Sequence, residues 1–344
     1  MNNKAMLSFT RLIPFILVTV LLLARGRLFL SHGLTNAGYI IFNQSLRAAP
    51  FGQTLTGSAL PFWVKAAGIA PFNQSAWRGA GFGYLALGRE NEALDAWSRV
   101  DGMSEELLLW GQLAERQKQY ADALTWYRRI ILLSPESGDP WLAAGRVYQK
   151  QRNWAAALAA FQEAAQKDIF YRDAKSDAYF QQGVIYQWAP EYKNAELALE
   201  NYNAALKNDR FSTLTVKAEA FYKRGEVSGW LGYDPAQSMA DYQRALTLYP
   251  GHTPARLRWG INLYWQEGDL TQAEQNIQQA IEAWRQQGNM ANLAWAYRSL
   301  GDIYFDAGLL PEARSAYQTA VDIEPQNQHA RDRLAVLNNE ELNK

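Results

Sequence analysis

An all-α solenoid of stacked helical hairpins is the fold class this sequence predicts, and three observations predict it. A glycine or alanine recurs at a near-constant distance ahead of a large aromatic residue, the whole unit returns about every thirty-four residues, and proline closes several of the units. Each part has a physical reason. The small residue marks a close helix crossing, the aromatic fills the gap between layers, and proline cannot continue a helix. One hairpin cannot bury its own apolar faces, so neighbours must stack.

The register is set by Trp141, Leu142, Ala144, Gly145 and Tyr148, followed by Ala157, Phe161 and Ala164. Upstream stand Leu107, Trp110, Gly111 and Ala114, then Ala123, Tyr127, Ile130 and Pro135; before them come Trp77, Ala80, Gly81 and Tyr84, then Ala93, Trp97 and Val100. Downstream a fourth unit holds Tyr179, Gly183, Tyr186, Ala198, Tyr202 and Ala205, with extra residues between its helices. A fifth holds Phe221, Gly225, Ser238, Tyr242, Ala245 and Pro250, and a sixth Trp259, Gly260, Ala273, Ile277 and Ala280. The seventh reads Tyr297, Leu300, Gly301, Tyr304, Ala313, Tyr317, Ala320 and Pro325. This pattern resembles the tetratricopeptide-repeat (TPR) family, W-x2-L-G-x2-Y followed by A-x3-F. The resemblance implies a TPR α-solenoid, a right-handed superhelix of helix-turn-helix repeats, and a protein that holds partners.

Residues 1–30 read as a membrane anchor with its flanks, 31–72 as degenerate repeat helices, 73–326 as about seven repeats, and 327–344 as a capping helix. Leu12–Ala24 is an uncharged apolar run between Arg11 and Arg25. Extended back to Ala5 it would reach about 30 Å as a helix, enough to cross a bilayer. A cleaved signal peptide is the alternative, but Leu22 and Arg25 spoil the cleavage pattern. Lys4 and Arg11 nearly balance Arg25 and Arg27, so orientation rests on the usual cytoplasmic N-terminus, which would place the repeats on the extracytoplasmic side. The expected localisation is thus membrane, single-pass. Gly38, Phe42, Ser45 and Pro50, and again Ala59, Trp63, Ala66 and Pro71, copy the spacing of a repeat's second helix. Pro61 inside the latter predicts a kink or a late helix start.

Chemistry is hard to find. Thirty-four basic residues balance 34 acidic ones, which argues against nucleic-acid binding. There is no cysteine, and the histidines are His32, His252 and His329. No glycine precedes a lysine, so a phosphate-binding loop of the Walker type is absent. Gly79, Gly81 and Gly83 imitate a dinucleotide fingerprint, yet no strand precedes them and Gly81 already belongs to a repeat. Asp302 and Asp306 lie one helical turn apart and read as a solvated acidic patch. The expectation is no enzyme, with no catalytic residue, cofactor or metal.

The resemblance implies that the first helix of each repeat lines a concave groove. Alignment places Arg78, Phe82, Gln112, Arg116, Arg146, Gln149 and Lys150 there in the early repeats. In the later ones it places Phe180, Gln187, Trp188, Tyr222, Trp230, Tyr264, Trp265, Trp295, Arg298 and Phe305. Trp188, Trp230 and Trp265 hold equivalent positions at the end of the first helix. Exposed, such a row would bind apolar or proline-rich peptides, or stack on sugar rings. The plainer account, and the preferred one, packs these indoles sideways between repeats. Clamping of a C-terminal carboxylate by Lys and Asn does not fit, because Asn is missing and Arg replaces Lys. The expected function is a membrane-anchored scaffold or adaptor that binds a protein or extended peptide in its groove, within a membrane or envelope assembly. The alternative is a carbohydrate-binding or polysaccharide-machinery subunit with a glycan as partner.

Overall fold

In several repeats a large ring on the second helix lies where a side chain on the first helix would stand. A Cβ atom added to Gly81 would sit 2.1 Å from Nε1 of Trp97, and one on Gly111 would sit 2.3 Å from Cε1 of Tyr127. The same holds for Gly183 against Tyr202 at 2.6 Å and Gly301 against Tyr317 at 2.7 Å. Burying such a ring contributes about 1.5–3 kcal/mol, which the glycine makes reachable by letting the helices close.

The computed structural model describes residues 23–41, 56–171, 173–233 and 235–342, all-α with no strand among the described residues. The chain divides into two units, residues 1–147 and 148–344. Unit 1 holds α1 (residues 23–41), α2 (Thr56–Ile69), α3 (Gln74–Ala86), α4 (Glu90–Trp97), α5 (Met103–Arg116) and α6 (Tyr120–Leu133). The division falls within α7 (Asp139–Lys150). Unit 2 continues with α8 (Trp154–Gln166), α9 (Lys175–Trp188), α10 (Ala195–Asn208), α11 (Leu214–Trp230) and α12 (Pro235–Leu248). It ends with α13 (Thr253–Asn262), α14 (Leu270–Gln287), α15 (Met290–Asp306), α16 (Leu310–Ile323) and α17 (Gln328–Leu342).

The first described helix of unit 1 packs on protein. Ser31 and Thr35 of α1 are buried; Ser31 Oγ donates to the Ala66 carbonyl at 2.9 Å. Asn73 Nδ2 donates to Ser31 Oγ at 2.6 Å and to Thr35 Oγ1 at 3.0 Å, while its Oδ1 caps α3 at Ala76. Trp63 of α2 lies between two glycines: a Cβ on Gly38 would stand 2.5 Å from its ring and one on Gly79 2.6 Å. Gly38 therefore takes the part of a first-helix glycine with Trp63 as its ring, not the second-helix part that its spacing predicts. Helix α2 runs through Pro61 from Thr56, so the late start predicted at that proline does not occur.

The expected single-pass membrane localisation, with extracytoplasmic repeats, is corrected here. Among the described residues no helix is long and apolar enough to cross a membrane. Helix α1 carries Arg25, Arg27, His32 and Asn36, and its buried Ser31 and Thr35 are spent on contacts with α2 and α3. Of the apolar run, Leu12–Leu22 lies outside the described residues.

In unit 2 each hairpin packs on the next, and α17 lies on α16 with Ala330, Leu334 and Leu337 buried. The sixth repeat departs from the plan. Gly260 and Ala273 are one residue further apart than Gly301 and Ala313, and the extra residue is taken up by a π turn, Leu263–Glu267, after α13. Gly268 then closes the turn at φ 70°.

Because the ring contact leaves no room, Gly301→Leu should destabilise the chain by about 3 kcal/mol. Urea unfolding checks this; an unchanged midpoint would show that Tyr317 can move aside.

Candidate functional site

The first helices of unit 2 present a face with a buried polar layer beneath and tryptophans above. Glu226 of α11 anchors the layer, with a side chain 7% exposed. Its carboxylate accepts from Gln187 Nε2 on α9 at 3.2 Å, Tyr222 at 3.0 Å, Lys223 Nζ at 3.1 Å and Arg258 Nη2 on α13 at 3.2 Å. Gln187 Oε1 in turn accepts from the Tyr202 hydroxyl of α10 at 2.6 Å. Three repeats thus share one carboxylate. Burial by itself would raise the Glu226 pKa, but Lys223 and Arg258 outweigh it and hold the group below its ordinary value. Tyr202 and Tyr222 are pushed upward, by burial first and then by the Glu226 charge.

Above this layer Trp188, Trp230 and Trp265 are 55%, 45% and 49% exposed, so none is swallowed by inter-repeat packing. They are not free-standing either. Trp188 and Trp230 meet edge-to-face at 5.6 Å, and Lys223 Nζ lies 5.3 Å from the Trp188 ring centre. Trp265 meets Tyr264 at 5.0 Å within the π turn. The indoles touch one another or their neighbours and keep about half their surface in solvent.

The remaining residues expected on this face fall into three groups. Tyr264, Trp295 and Phe305 are half-buried; Tyr264 donates to Asp306 at 2.7 Å, and Arg258 and Arg333 stack over Trp295 and Phe305 at 4.7 and 4.8 Å. Tyr222 turns inward, 5% exposed, because its hydroxyl serves Glu226 and its ring meets Tyr242 and His252. Phe180 and Gln187 are buried too. Lys150 is exposed.

Unit 1 places Arg78 in a two-pronged ion pair with Glu106, Nε to Oε2 at 2.6 Å, and Phe82 between Trp97 and Trp110 at 5.1 and 6.5 Å. Arg116 is exposed and Arg146 half-buried. Sequence reasoning missed a cleft of about 460 Å³ between α5 and α6, lined by Trp110, Leu113, Gln117, Gln119, Trp126 and Arg129. The available signal was Trp126, a second aromatic beside Tyr127 that the repeat pattern does not ask for.

The polar groups singled out for chemistry have structural partners. Asp302 accepts from Tyr317 at 2.7 Å and lies 2.6 Å from His329 Nε2; Asp306 serves Tyr264. His252 caps α13, where Nδ1 accepts from the Ala255 amide at 3.1 Å. Nε2 then carries the hydrogen and donates to Glu219 at 2.8 Å. Among the described residues no group of three His, Asp or Glu side chains is placed to hold a metal ion.

Residues 257–326 match the family model for the tetratricopeptide repeat. That segment carries tetratricopeptide repeats. The match indicates no catalytic family. Two proteins called cell division cycle protein 16 homolog are similar to it. That of Mus musculus is 27% identical over 136 residues, 39% of this chain and 21% of that protein. That of Homo sapiens is 26% identical over 138 residues, with the same shares. The match spans about a fifth of the length of these curated relatives. A structure described as the functional characterization of Pseudomonas aeruginosa pilF is similar in fold, with a TM-score of 0.52 and 16% identity over 67% of this chain and 96% of that one.

Removing the anchor of the polar layer should be costly. Glu226→Gln is expected to lose about 3 kcal/mol at neutral pH, since Lys223 and Arg258 stay behind. The folded-state pKa is lowered, so the wild-type advantage is complete above the ordinary carboxylate value and fades as pH falls through the lower folded value. Melts of both chains from neutral to strongly acidic pH check this; a gap that widens in acid would contradict it.

Proposed function

We propose that the chain is an adaptor that binds an extended segment of a partner protein along the first-helix face of unit 2 and holds that partner within an assembly. The observation that carries this is the row of Trp188, Trp230 and Trp265, each about half exposed at the same place in successive repeats. Half-exposed indoles on a rigid support are the side chains that most often dominate binding energy. Glu226 and Gln187 beneath them are already hydrogen-bonded, so the face can lose water without leaving either unpaired. The match of residues 257–326 to a repeat family that binds proteins supports the same reading.

The glycan reading has less support. Stacking successive sugar rings needs open, roughly parallel indole faces. Here the Trp188 and Trp230 planes cross at 87°, and Lys223 occupies a Trp188 face.

The test compares proteins retained by the full chain with those retained by a Trp188→Ala/Trp230→Ala/Trp265→Ala variant, using quantitative mass spectrometry. Loss of specific partners, with an unchanged melting curve, is the expected result. If every partner persists, or if retention on a glycan gel is lost instead, the adaptor reading fails.

A further inference from the structure

Several half-buried arginines of the chain hold a carboxylate. Arg224 grips Asp241 with both prongs at 2.8 and 2.6 Å, and Arg129 meets Glu90 at 2.9 Å. Arg298 of α15 does not. Among the described residues it has no hydrogen bond, ion pair or ring contact, and its Nε is buried without an acceptor. Its terminal nitrogens are not buried, so they reach the surface with their donors unused. Arg258 of α13 is partly committed: one terminal nitrogen meets Glu226 at 3.2 Å, the guanidinium lies 4.7 Å over Trp295, and its Nε also lacks an acceptor. Trp295 and Arg298 are three residues apart on α15 and share its face. A guanidinium stacked on an indole thus stands near a second guanidinium whose Nε is buried without an acceptor.

We propose that Arg298, flanked by Arg258 and Trp295, receives an acidic side chain of the bound segment. This rests on the adaptor reading above and adds a requirement to it: an Asp or Glu near α15, with apolar or aromatic residues towards Trp188 and Trp230. A carboxylate fits the planar fork of Arg298, and such charge-assisted pairs are among the strongest polar contacts available. A monoanion is favoured over a phosphate dianion. Asp302 lies one turn along from Arg298, and Glu226 already faces Arg258, so a second negative charge would be repelled.

The experiment pans a phage-displayed library of random short peptides on the full wild-type chain, on Arg298→Gln and on Trp188→Ala/Trp230→Ala. Arg298 is chosen because Arg258 also holds Glu226. Arg298→Gln should melt as the wild type does, since the lost group makes no hydrogen bond or ion pair; Arg298→Lys, which keeps the charge, is the second variant and should retain the acid preference. Wild type should enrich peptides that combine Asp or Glu with apolar or aromatic residues. Arg298→Gln should keep the apolar preference and lose the acidic one. For one selected peptide, Glu→Gln should weaken binding to wild type about tenfold and leave binding to Arg298→Gln unchanged. Apolar enrichment with no acid preference, or an equal Glu→Gln effect on both chains, overturns the acid site while leaving the adaptor reading standing. No enrichment of any kind on wild type overturns both. Tighter binding of a phosphoserine peptide than of its Glu counterpart overturns the assignment to a carboxylate.

Discussion

The contact between a first-helix glycine and a second-helix ring fixes the distance at which the two helices of a repeat lie, and other features follow from that distance. With Tyr127, Tyr202 and Tyr317 seated against Gly111, Gly183 and Gly301, the phenol crosses the hairpin and its hydroxyl reaches the first helix. There it donates to Glu115, Gln187 and Asp302, at 3.0, 2.6 and 2.7 Å. A residue chosen to fill space therefore also pins a polar side chain. In the fourth repeat that side chain is Gln187, which passes the constraint on to Glu226 and so to two further repeats. Apolar packing within one hairpin and polar order across three are linked through a single ring.

This linkage changes how unit 2 should be thought of energetically. An ideal repeat array is a sum of hairpins and nearest-neighbour interfaces. A carboxylate that accepts from α9, α11 and α13 is not a nearest-neighbour term, because losing any one of those helices leaves a buried charge under-solvated. The face above it inherits that rigidity. Trp188, Trp230 and Lys223 hold one another from above while their helices are tied from below.

How much of this was legible in the sequence depended on the range of the interaction. Gly81 with Trp97, or Gly301 with Tyr317, are close in sequence and recur, so their register could be read directly. Gly38 with Trp63 is the same contact across a longer connection, and at that separation spacing assigned Gly38 to the wrong helix type. Ser31 and Thr35 of α1 were opaque for a related reason, because they reveal their purpose only when Asn73 is brought alongside. The candidate face was located from alignment, yet alignment cannot tell which way a ring turns. Tyr222 and Phe180 went inward, while Trp188 and Trp230 stayed at the surface. Nor can it show that Arg298 lacks a partner, since that is a property of every neighbour at once.

The π turn after α13 has a meaning in terms of descent. A gene that duplicates a repeat many times will gain and lose single codons, and in a β-sheet one added residue turns every later side chain to the opposite face. Here the addition is held within Leu263–Glu267, and Ala273 and Ile277 are buried with no exposure at all. The same bulge sets Tyr264 and Trp265 side by side, 5.0 Å apart. A copying error absorbed in this way can alter what a repeat displays while leaving its core unchanged, which gives such a chain a route to new partners that does not pass through loss of the fold.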